Sequence, residues 1–166
     1  VARAAELLRG ARRPLLIAGG GVIAAGAGDD VRTLARRLHA PILTTVMGRG
    51  TLPETDPLWL GVLPNRLASQ AALEAADVVL AVGCRFAHRS TKGLLLNLSF
   101  RPEQALIHLD LDPEEIGRQH AAAIGIVGSF VGHRLGRRLP QATLRKAFGV
   151  FLVVMGLVIA VDTGPS

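Results

Sequence analysis

The chain has 166 residues and a formal net charge of +6, from 19 Lys and Arg residues against 13 Asp and Glu residues. It has no Tyr and one Trp, so it lacks the aromatic side chains on which bases stack, and we do not expect a nucleic-acid partner despite the basic balance. The single cysteine, Cys84, excludes an intramolecular disulfide and is typical of a reducing compartment.

Helices and strands are predicted to alternate along the first 120 residues. Apolar residues at helical spacing predict helices over residues 2–12, 29–38 and 67–76, the second capped by Asp29 or Asp30. Strands are predicted over residues 15–18, 42–46, 78–82 and 105–111, and a turn or short helix follows through residue 118. Residues 15–18 and 78–82 are apolar throughout, which is typical of strands buried on both faces. This alternation implies parallel pairing through right-handed crossovers, so we predict an α/β fold with a doubly wound, Rossmann-like parallel sheet.

Small and polar residues follow each predicted strand, where ligands bind in open parallel sheets. They are Gly19, Gly20 and Gly21, then Thr44, Thr45 and Gly48, then Gly83 and Arg85, then Asp110 and Asp112. Residues 19–24 match the dinucleotide pattern G-x-G-x-x-A, but the second strand does not end in the acidic residue that holds a ribose, which argues against a nicotinamide cofactor. The glycines serve either a phosphate or only a tight turn with close packing.

Four segments in order resemble the central domain of thiamine diphosphate-dependent enzymes, above all the large subunit of acetolactate synthase. They are PLLIAGGG (14–21), APILTTVMGRG (40–50), ADVVLAVGCRF (76–86) and HLDLDPEEIG (108–117). The resemblance covers residues 1 to about 128. It implies about six parallel strands, with residues 124–127 as the sixth, between two thiamine-binding domains that this chain does not contain.

In flavin-containing members, the resemblance implies that this domain holds FAD in an extended pose through backbone groups at strand ends. The matching positions are Gly20 and Gly21 near the phosphates, Thr45, Val46 and Met47 along the flavin, Gly61, Val62 and Leu63, then Gly83, Cys84 and Arg85, and finally Asp110 and Leu111 near the adenosine. The chain departs from acetolactate synthases at Pro64-Asn65-Arg66 and at Ala87-His88. FAD, another ADP-containing nucleotide and no ligand at all are therefore the alternatives.

The resemblance places the family's catalytic glutamate, and its segment that binds magnesium and diphosphate, in the neighbouring domains. We therefore expect thiamine diphosphate and magnesium only in a complete enzyme. For this chain, which we interpret as a truncated domain, we expect no catalytic residue and no activity of its own. A homo-oligomer is expected as in the family.

Other reactive side chains have simpler interpretations. Cys84 follows an apolar strand and is predicted to be buried, and His108 alternates with apolar residues as a core histidine does. The carboxylates of residues 112–115 are expected to cap a turn. His88 and Arg89 either face a phosphate or lie in a solvated loop. No metal site is predicted, because His39, His120 and His133 have no ligand partners at metal spacing.

The character of the chain changes near Gly128. Residues 121–166 contain five basic residues against one acidic residue, and residues 147–161 are apolar and uncharged. This segment resembles the C-terminal end of the sulfite exporter (TauE/SafE) membrane family. We therefore predict two regions, residues 1–128 and 129–166, with a cytoplasmic domain attached to the membrane by a C-terminal helix whose basic flank faces the cytoplasm. The alternatives are a purposeful membrane-attached nucleotide-binding module and the remnant of a transporter.

Overall fold

The computed structural model of the chain describes residues 1–63, 67–86 and 100–128. The helices are α1 (Ala2–Gly10), α2 (Gly20–Ala25), α3 (Gly28–Leu38) and α4 (Leu67–Ala75), and a 3-10 turn spans Val46–Gly48. The strands are β1 (Pro14–Ala18), β2 (Ile42–Thr44), β3 (Trp59–Val62), β4 (Val78–Val82), β5 (Ala105–Asp110) and β6 (Ile124–Val127).

Within these residues, six parallel strands form one sheet in the order β3-β2-β1-β4-β5-β6. The predicted α/β fold with a six-stranded parallel sheet is thereby confirmed. Ala18, the last residue of β1, pairs with Thr44 on one side and with Val82 on the other. Because the strand order reverses between β1 and β4, the carboxyl ends of these two strands border the crevice in which such sheets bind ligands.

Helices cover both faces of the sheet because alternate strand residues point to opposite sides. On β1, Leu16 and Ala18 belong to a core cluster that includes residues of α1 and α3. Leu15 and Ile17 belong to a second cluster, which includes Leu73 of α4. Strands β1, β2, β4 and β5 are buried on both sides, whereas β3 and β6 at the two edges of the sheet are partly exposed.

One helix and one strand were not predicted from the sequence. Helix α2 begins at Gly20, in the segment whose glycines are expected to serve a phosphate or a tight turn. Strand β3 is at the edge of the sheet and only half-buried, and Gly61 interrupts its apolar residues.

Several predicted boundaries were wrong by a few residues. The first helix ends at Gly10, because the backbone N–H groups of Arg12 and Arg13 bind Asp77 instead. Strand β2 stops at Thr44 because Thr45 caps the 3-10 turn.

The predicted N-cap of α3 at Asp29 or Asp30 was also wrong. Ala27 is the N-cap, and both aspartates lie in the first turn, near the positive end of the helix dipole. Gly28, the first residue of α3, packs closely against the backbone of Thr51, since a Cβ atom on Gly28 would lie 2.4 Å from the Thr51 oxygen. This close contact favours a helix that starts before Asp29.

The predicted C-terminal membrane segment, residues 129–166, lies outside the described residues. Within residues 1–63, 67–86 and 100–128, no helix has the length and apolar character needed to cross a membrane.

Candidate functional site

The backbones that follow β1 and β4 cross in direct contact at the point where the strand order reverses. The N–H of Gly19 donates to the Val82 carbonyl at 2.8 Å, and the N–H of Gly21 donates to the Gly83 carbonyl at 3.1 Å. A Cβ atom on Gly19 would lie 2.0 Å from the Gly83 oxygen, and Gly83 itself has φ +58°. Close packing therefore explains Gly19, Gly21 and Gly83, and the first and last of the three loop glycines have their N–H groups in internal hydrogen bonds.

Gly20 differs from its two neighbours. It is the first residue of α2, so its N–H has no partner within that helix, and none is provided by the other described residues. A Cβ atom on Gly20 would lie 3.1 Å from the Cβ of Met47. Gly20 is thus the position of this loop that is free to face a ligand, and it lies beside the 3-10 turn.

The 3-10 turn presents apolar side chains to solvent. Its N-cap, Thr45, accepts a hydrogen bond from the Gly48 N–H at its side-chain oxygen (3.1 Å). Gly48 packs against β1, since a Cβ atom there would lie 2.1 Å from the Ala18 oxygen. With both ends of the turn held, Val46 and Met47 remain 52% and 75% exposed.

The segment Gly61, Val62 and Leu63 lies next to the end of β2. The Leu63 N–H donates to the Thr44 carbonyl at 2.8 Å, and the Thr44 hydroxyl lies 3.4 Å from the Gly61 carbonyl. Leu63 is buried in the same cluster as Cys84. Its side chain therefore belongs to the core, and this segment can offer a ligand chiefly its backbone.

Cys84 is a core residue, as predicted. Its thiol is buried and lies 3.4 Å from the carbonyl oxygens of both Ile17 and Val82. Burial raises the pKa of Cys84 well above its ordinary value, and the negative charge of Asp110 raises it further. The thiol is consequently protonated and unreactive in the folded domain.

Arg85 follows Cys84 and has the opposite character. It is exposed and forms no ion pair with the described part of the chain. Its backbone lies close to the glycine loop, because a Cβ atom on Gly19 would lie 2.8 Å from the Cα of Cys84. Gly20 follows Gly19 and Arg85 follows Cys84 in the sequence, so both residues come directly after this contact.

An aromatic cluster lies beside Arg85. The ring of Phe86 makes edge-to-face contacts with Phe100, His108 and His120, with centroid distances of 6.0, 5.3 and 5.1 Å. Phe86 also has φ +48°, in the left-handed region that disfavours large side chains. This cluster was not predicted, because its members are separated in sequence and only His108 carries a recognisable strand pattern.

His108 is a buried core histidine, which confirms its predicted role. Its Nδ1 accepts a hydrogen bond from the Gly117 N–H at 3.3 Å, so the proton of the neutral ring is on Nε2. Nε2 then donates to the Cys84 carbonyl at 2.8 Å.

The residues after β5 form a turn. One side-chain oxygen of Asp110 accepts from the Asp112 N–H, and one of Asp112 accepts from the Glu114 N–H, both at 3.0 Å. Asp112 thus caps the turn, as predicted for residues 112–115, and Asp110, which was not included in that prediction, does the same. Leu111 packs beside β6, where a Cβ atom on Gly128 would lie 2.9 Å from Leu111 Cδ2.

All thirteen residues predicted for cofactor binding lie at or next to the carboxyl ends of strands, on one edge of the sheet. They differ in what they can present: Val46, Met47 and Arg85 expose side chains, whereas Leu63, Gly83 and Cys84 are buried. The predicted positions His88 and Arg89, and the departures at residues 64–66 and 87–88, lie outside the described residues.

The chain is similar to proteins of known families. The profile "Thiamine pyrophosphate enzyme, central domain" matches residues 1–131. The "Probable acetolactate synthase large subunit" of Methanocaldococcus jannaschii is 42% identical over 130 residues, which cover 77% of this chain and 22% of that protein. The "Acetolactate synthase" of Mycobacterium bovis is also 42% identical over 130 residues, covering 77% of this chain and 21% of that protein.

A third relative extends further along the chain. The "Acetolactate synthase large subunit" of Parasynechococcus marenigrum is 38% identical over 149 residues, covering 89% of this chain and 24% of that protein. That match must include residues beyond 131. The chain thus spans about a fifth to a quarter of the length of these relatives. The matches do not support the resemblance of the C-terminal segment to sulfite exporters.

Proposed function

The chain belongs to the thiamine pyrophosphate enzyme family, as its central domain, and from this premise we propose that it is the cofactor-binding and scaffolding domain of an acetolactate synthase-like enzyme. Its ligand is FAD or another ADP-containing nucleotide. The nucleotide lies in an extended pose along the carboxyl edge of the sheet, across the ends of β2, β1, β4 and β5.

The observation that carries this proposal is that Gly20 and Arg85 each directly follow the contact between Gly19 and Cys84. Gly20 has a backbone N–H without a partner among the described residues, and Arg85 has an exposed guanidinium. The contact between Gly19 and Cys84 brings the two backbones together at the crevice. A backbone donor beside an arginine is the combination that holds a pyrophosphate group.

The two sides of this anion site suit the two ends of the ligand. On the β2 side, the exposed Val46 and Met47 give a flat ring system an apolar surface. On the β5 side, the adenosine end contacts Asp110 and Leu111 in this proposal. Val62 and the backbone of Gly61 and Leu63 border the apolar side.

The domain does not catalyse alone under this proposal. Thiamine diphosphate and magnesium belong to the complete family enzyme, in which flanking domains supply the groups that bind and activate them. We expect no release of carbon dioxide from pyruvate by the purified chain with both cofactors present. Release above the uncatalysed rate would show that this chain contains an active site.

Calorimetric titration of the chain with FAD, ADP and coenzyme A tests the ligand. We expect binding in the micromolar range or weaker, roughly −8 kcal/mol or less favourable. Arg85→Gln should weaken binding, whereas Arg13→Gln, which removes the same charge from an exposed residue before β1, should not. The absence of heat and of a thermal shift with all three compounds at millimolar concentration would overturn the proposal.

Two further expectations remain predictions from the sequence. One is a homo-oligomer, as in the family. The other is membrane attachment through residues 147–161. Alkaline carbonate extraction of the expressed chain tests it, and recovery of folded, monomeric chain in the soluble fraction without detergent would contradict it.

A further inference from the structure

We propose that His108 and Phe86 are positioning residues, which hold the backbone on both sides of Arg85 so that its guanidinium faces the crevice between β1 and β4. The inference rests on the proposed function for the ligand that Arg85 binds. The fold itself orients Arg85 in the unliganded chain.

His108 holds the residue before Arg85. Its Nε2 donates to the Cys84 carbonyl, which belongs to the peptide bond that joins Cys84 to Arg85. The Gly117 N–H fixes the opposite ring nitrogen as an acceptor, so the ring cannot change tautomer without losing both bonds. A buried ring from β5 therefore sets the orientation of the peptide plane that leads into Arg85.

Phe86 holds the residue after Arg85. At φ +48° its backbone is in a conformation that a phenylalanine adopts only when its surroundings impose it. The edge-to-face contacts of its buried ring with Phe100, His108 and His120 are the surroundings that do so. Anchoring the ring fixes the direction of the chain immediately beyond Arg85.

The segment Gly83 to Phe86 is consequently a bend with two left-handed residues at its ends, Gly83 and Phe86. Gly83 is held by backbone contact with Gly21, and the Cys84 thiol by the carbonyls of β1 and β4. Arg85 is the one exposed residue of this segment. A rigid backbone restricts an arginine head group to fewer positions, which lowers the entropy lost when it binds an anion.

A double-mutant cycle with ADP tests the proposal. His108→Leu, which removes the donor to Cys84, should weaken ADP binding about tenfold when Arg85 is present and should have no further effect in the Arg85→Gln chain. His108→Gln, which can keep a donor at the Nε2 position, should retain most of the affinity. Equal losses with and without Arg85 would show a general structural role and overturn the proposal.

A second measurement is independent of any ligand. Amide hydrogen exchange in the unliganded chain should become faster at Gly21 and Gly83, whose N–H groups form hydrogen bonds at this bend, in both His108→Leu and Phe86→Gly, while exchange in β1 stays slow. Unchanged exchange at both glycines in Phe86→Gly would overturn the positioning role, and this outcome does not depend on whether His108→Leu folds. If the unsubstituted chain binds no ADP but exchange responds as expected, the proposed ligand is wrong and the positioning of Arg85 stands.

Discussion

The sheet has an amino edge, where its parallel strands begin, and a carboxyl edge, where they end, and the two edges use their side chains in different ways. At the amino edge, three residues shortly before strands direct their side chains into the protein: Asp56 before β3, Asp77 before β4 and Gln104 before β5. At the carboxyl edge, the residues after β2 and β4 instead expose Val46, Met47 and Arg85. The amino edge closes the fold, and the carboxyl edge exposes the groups from which the proposed ligand site is built.

The contacts of the amino edge join segments that are distant in sequence. Asp77 accepts the N–H groups of Arg12 and Arg13 at 2.7 and 3.0 Å, which joins the start of β1 to that of β4. Gln104 donates to the Ala76 carbonyl at 2.8 Å. The buried Asp56 accepts the Leu58 N–H at 3.0 Å and lies 3.4 Å from the Arg36 guanidinium.

The largest effect should come from the contact between the Gly19 loop and Gly83, where the carboxyl edge is packed for stability. Gly19→Ala places a methyl group where the Gly83 carbonyl lies, 2.0 Å away, and only backbone movement relieves the clash. We expect a loss of about 3 kcal/mol in the free energy of unfolding, measured with urea, or no folding at all.

Gly10→Ala is the matched control. A Cβ atom on Gly10, the last residue of α1, would meet nothing within 4 Å. The variant should be neutral or more stable by up to about 1 kcal/mol. If Gly19→Ala proved as stable as this control, the two strand ends would not be packed as described.

Substitution at the amino edge should cost less. Asp77→Asn keeps the shape of the side chain but removes the charge that accepts backbone N–H groups, so we expect a loss of about 1 to 2 kcal/mol in the free energy of unfolding at pH 7. Glu103→Gln, at an exposed carboxylate nearby, is the control and should have no measurable effect.

The contribution of Asp77 should also depend on pH. Burial raises its pKa, but backbone N–H groups, with those of Arg12 and Arg13 foremost, outweigh burial and lower it below the ordinary value. A depressed pKa means that the stabilisation is present above the pKa of the unfolded chain, about 4, and is lost as pH falls through the folded value. Urea titrations between pH 3 and 7 should show this loss for the unsubstituted chain and a smaller one for Asp77→Asn.

His120 predicts a smaller effect at higher pH. Burial lowers its pKa, and the neighbouring His108 lowers it further, so the fold favours the neutral ring. The unfolded chain therefore binds the proton first, and stability should fall by less than about 1 kcal/mol as pH decreases below the unfolded value near 6.5. His120→Phe should remove this part of the pH dependence. His39→Asn, which replaces an exposed histidine, is the control and should leave this pH dependence of stability unchanged.

Much of the fold was predictable from the sequence. The runs that became β1 and β4 are apolar throughout, and those of β2 and β5 are largely apolar, because these strands are buried on both faces. Strand β3 was not predictable, because it pairs on one side only within the described sheet and contains Gly61 at φ +138°. Helix α2 was hidden by its glycines, which normally weaken helices but here permit contact with Gly83.

The thirteen candidate positions come from the resemblance to the family, and their role in binding stays a prediction. A parallel sheet places the residues after its strands on one edge, which is why these positions lie together. Which of them expose a group depends on tertiary packing. Cys84 and Arg85 are adjacent in sequence, yet one is buried and the other exposed. The hydrogen bond from His108 in β5 to the Cys84 carbonyl joins two segments that are distant in sequence, and no local pattern indicates it.

The smallest change in stability is expected at Met47. Its side chain is 75% exposed, so Met47→Ser removes little buried surface and should change the free energy of unfolding by less than about 0.5 kcal/mol. Leu52→Ala, at a buried residue that follows the same turn, should instead cost about 2 to 5 kcal/mol. If Met47 contributes an apolar surface to the ligand, the stable Met47→Ser chain should bind FAD more weakly while its affinity for ADP, which lacks the flavin, stays the same. Equal weakening of FAD and ADP binding would mean that Met47 acts through Gly20 and the phosphates. A loss above about 1 kcal/mol in the free energy of unfolding would mean that Met47 packs against the fold, so that the carboxyl edge is closed as the amino edge is.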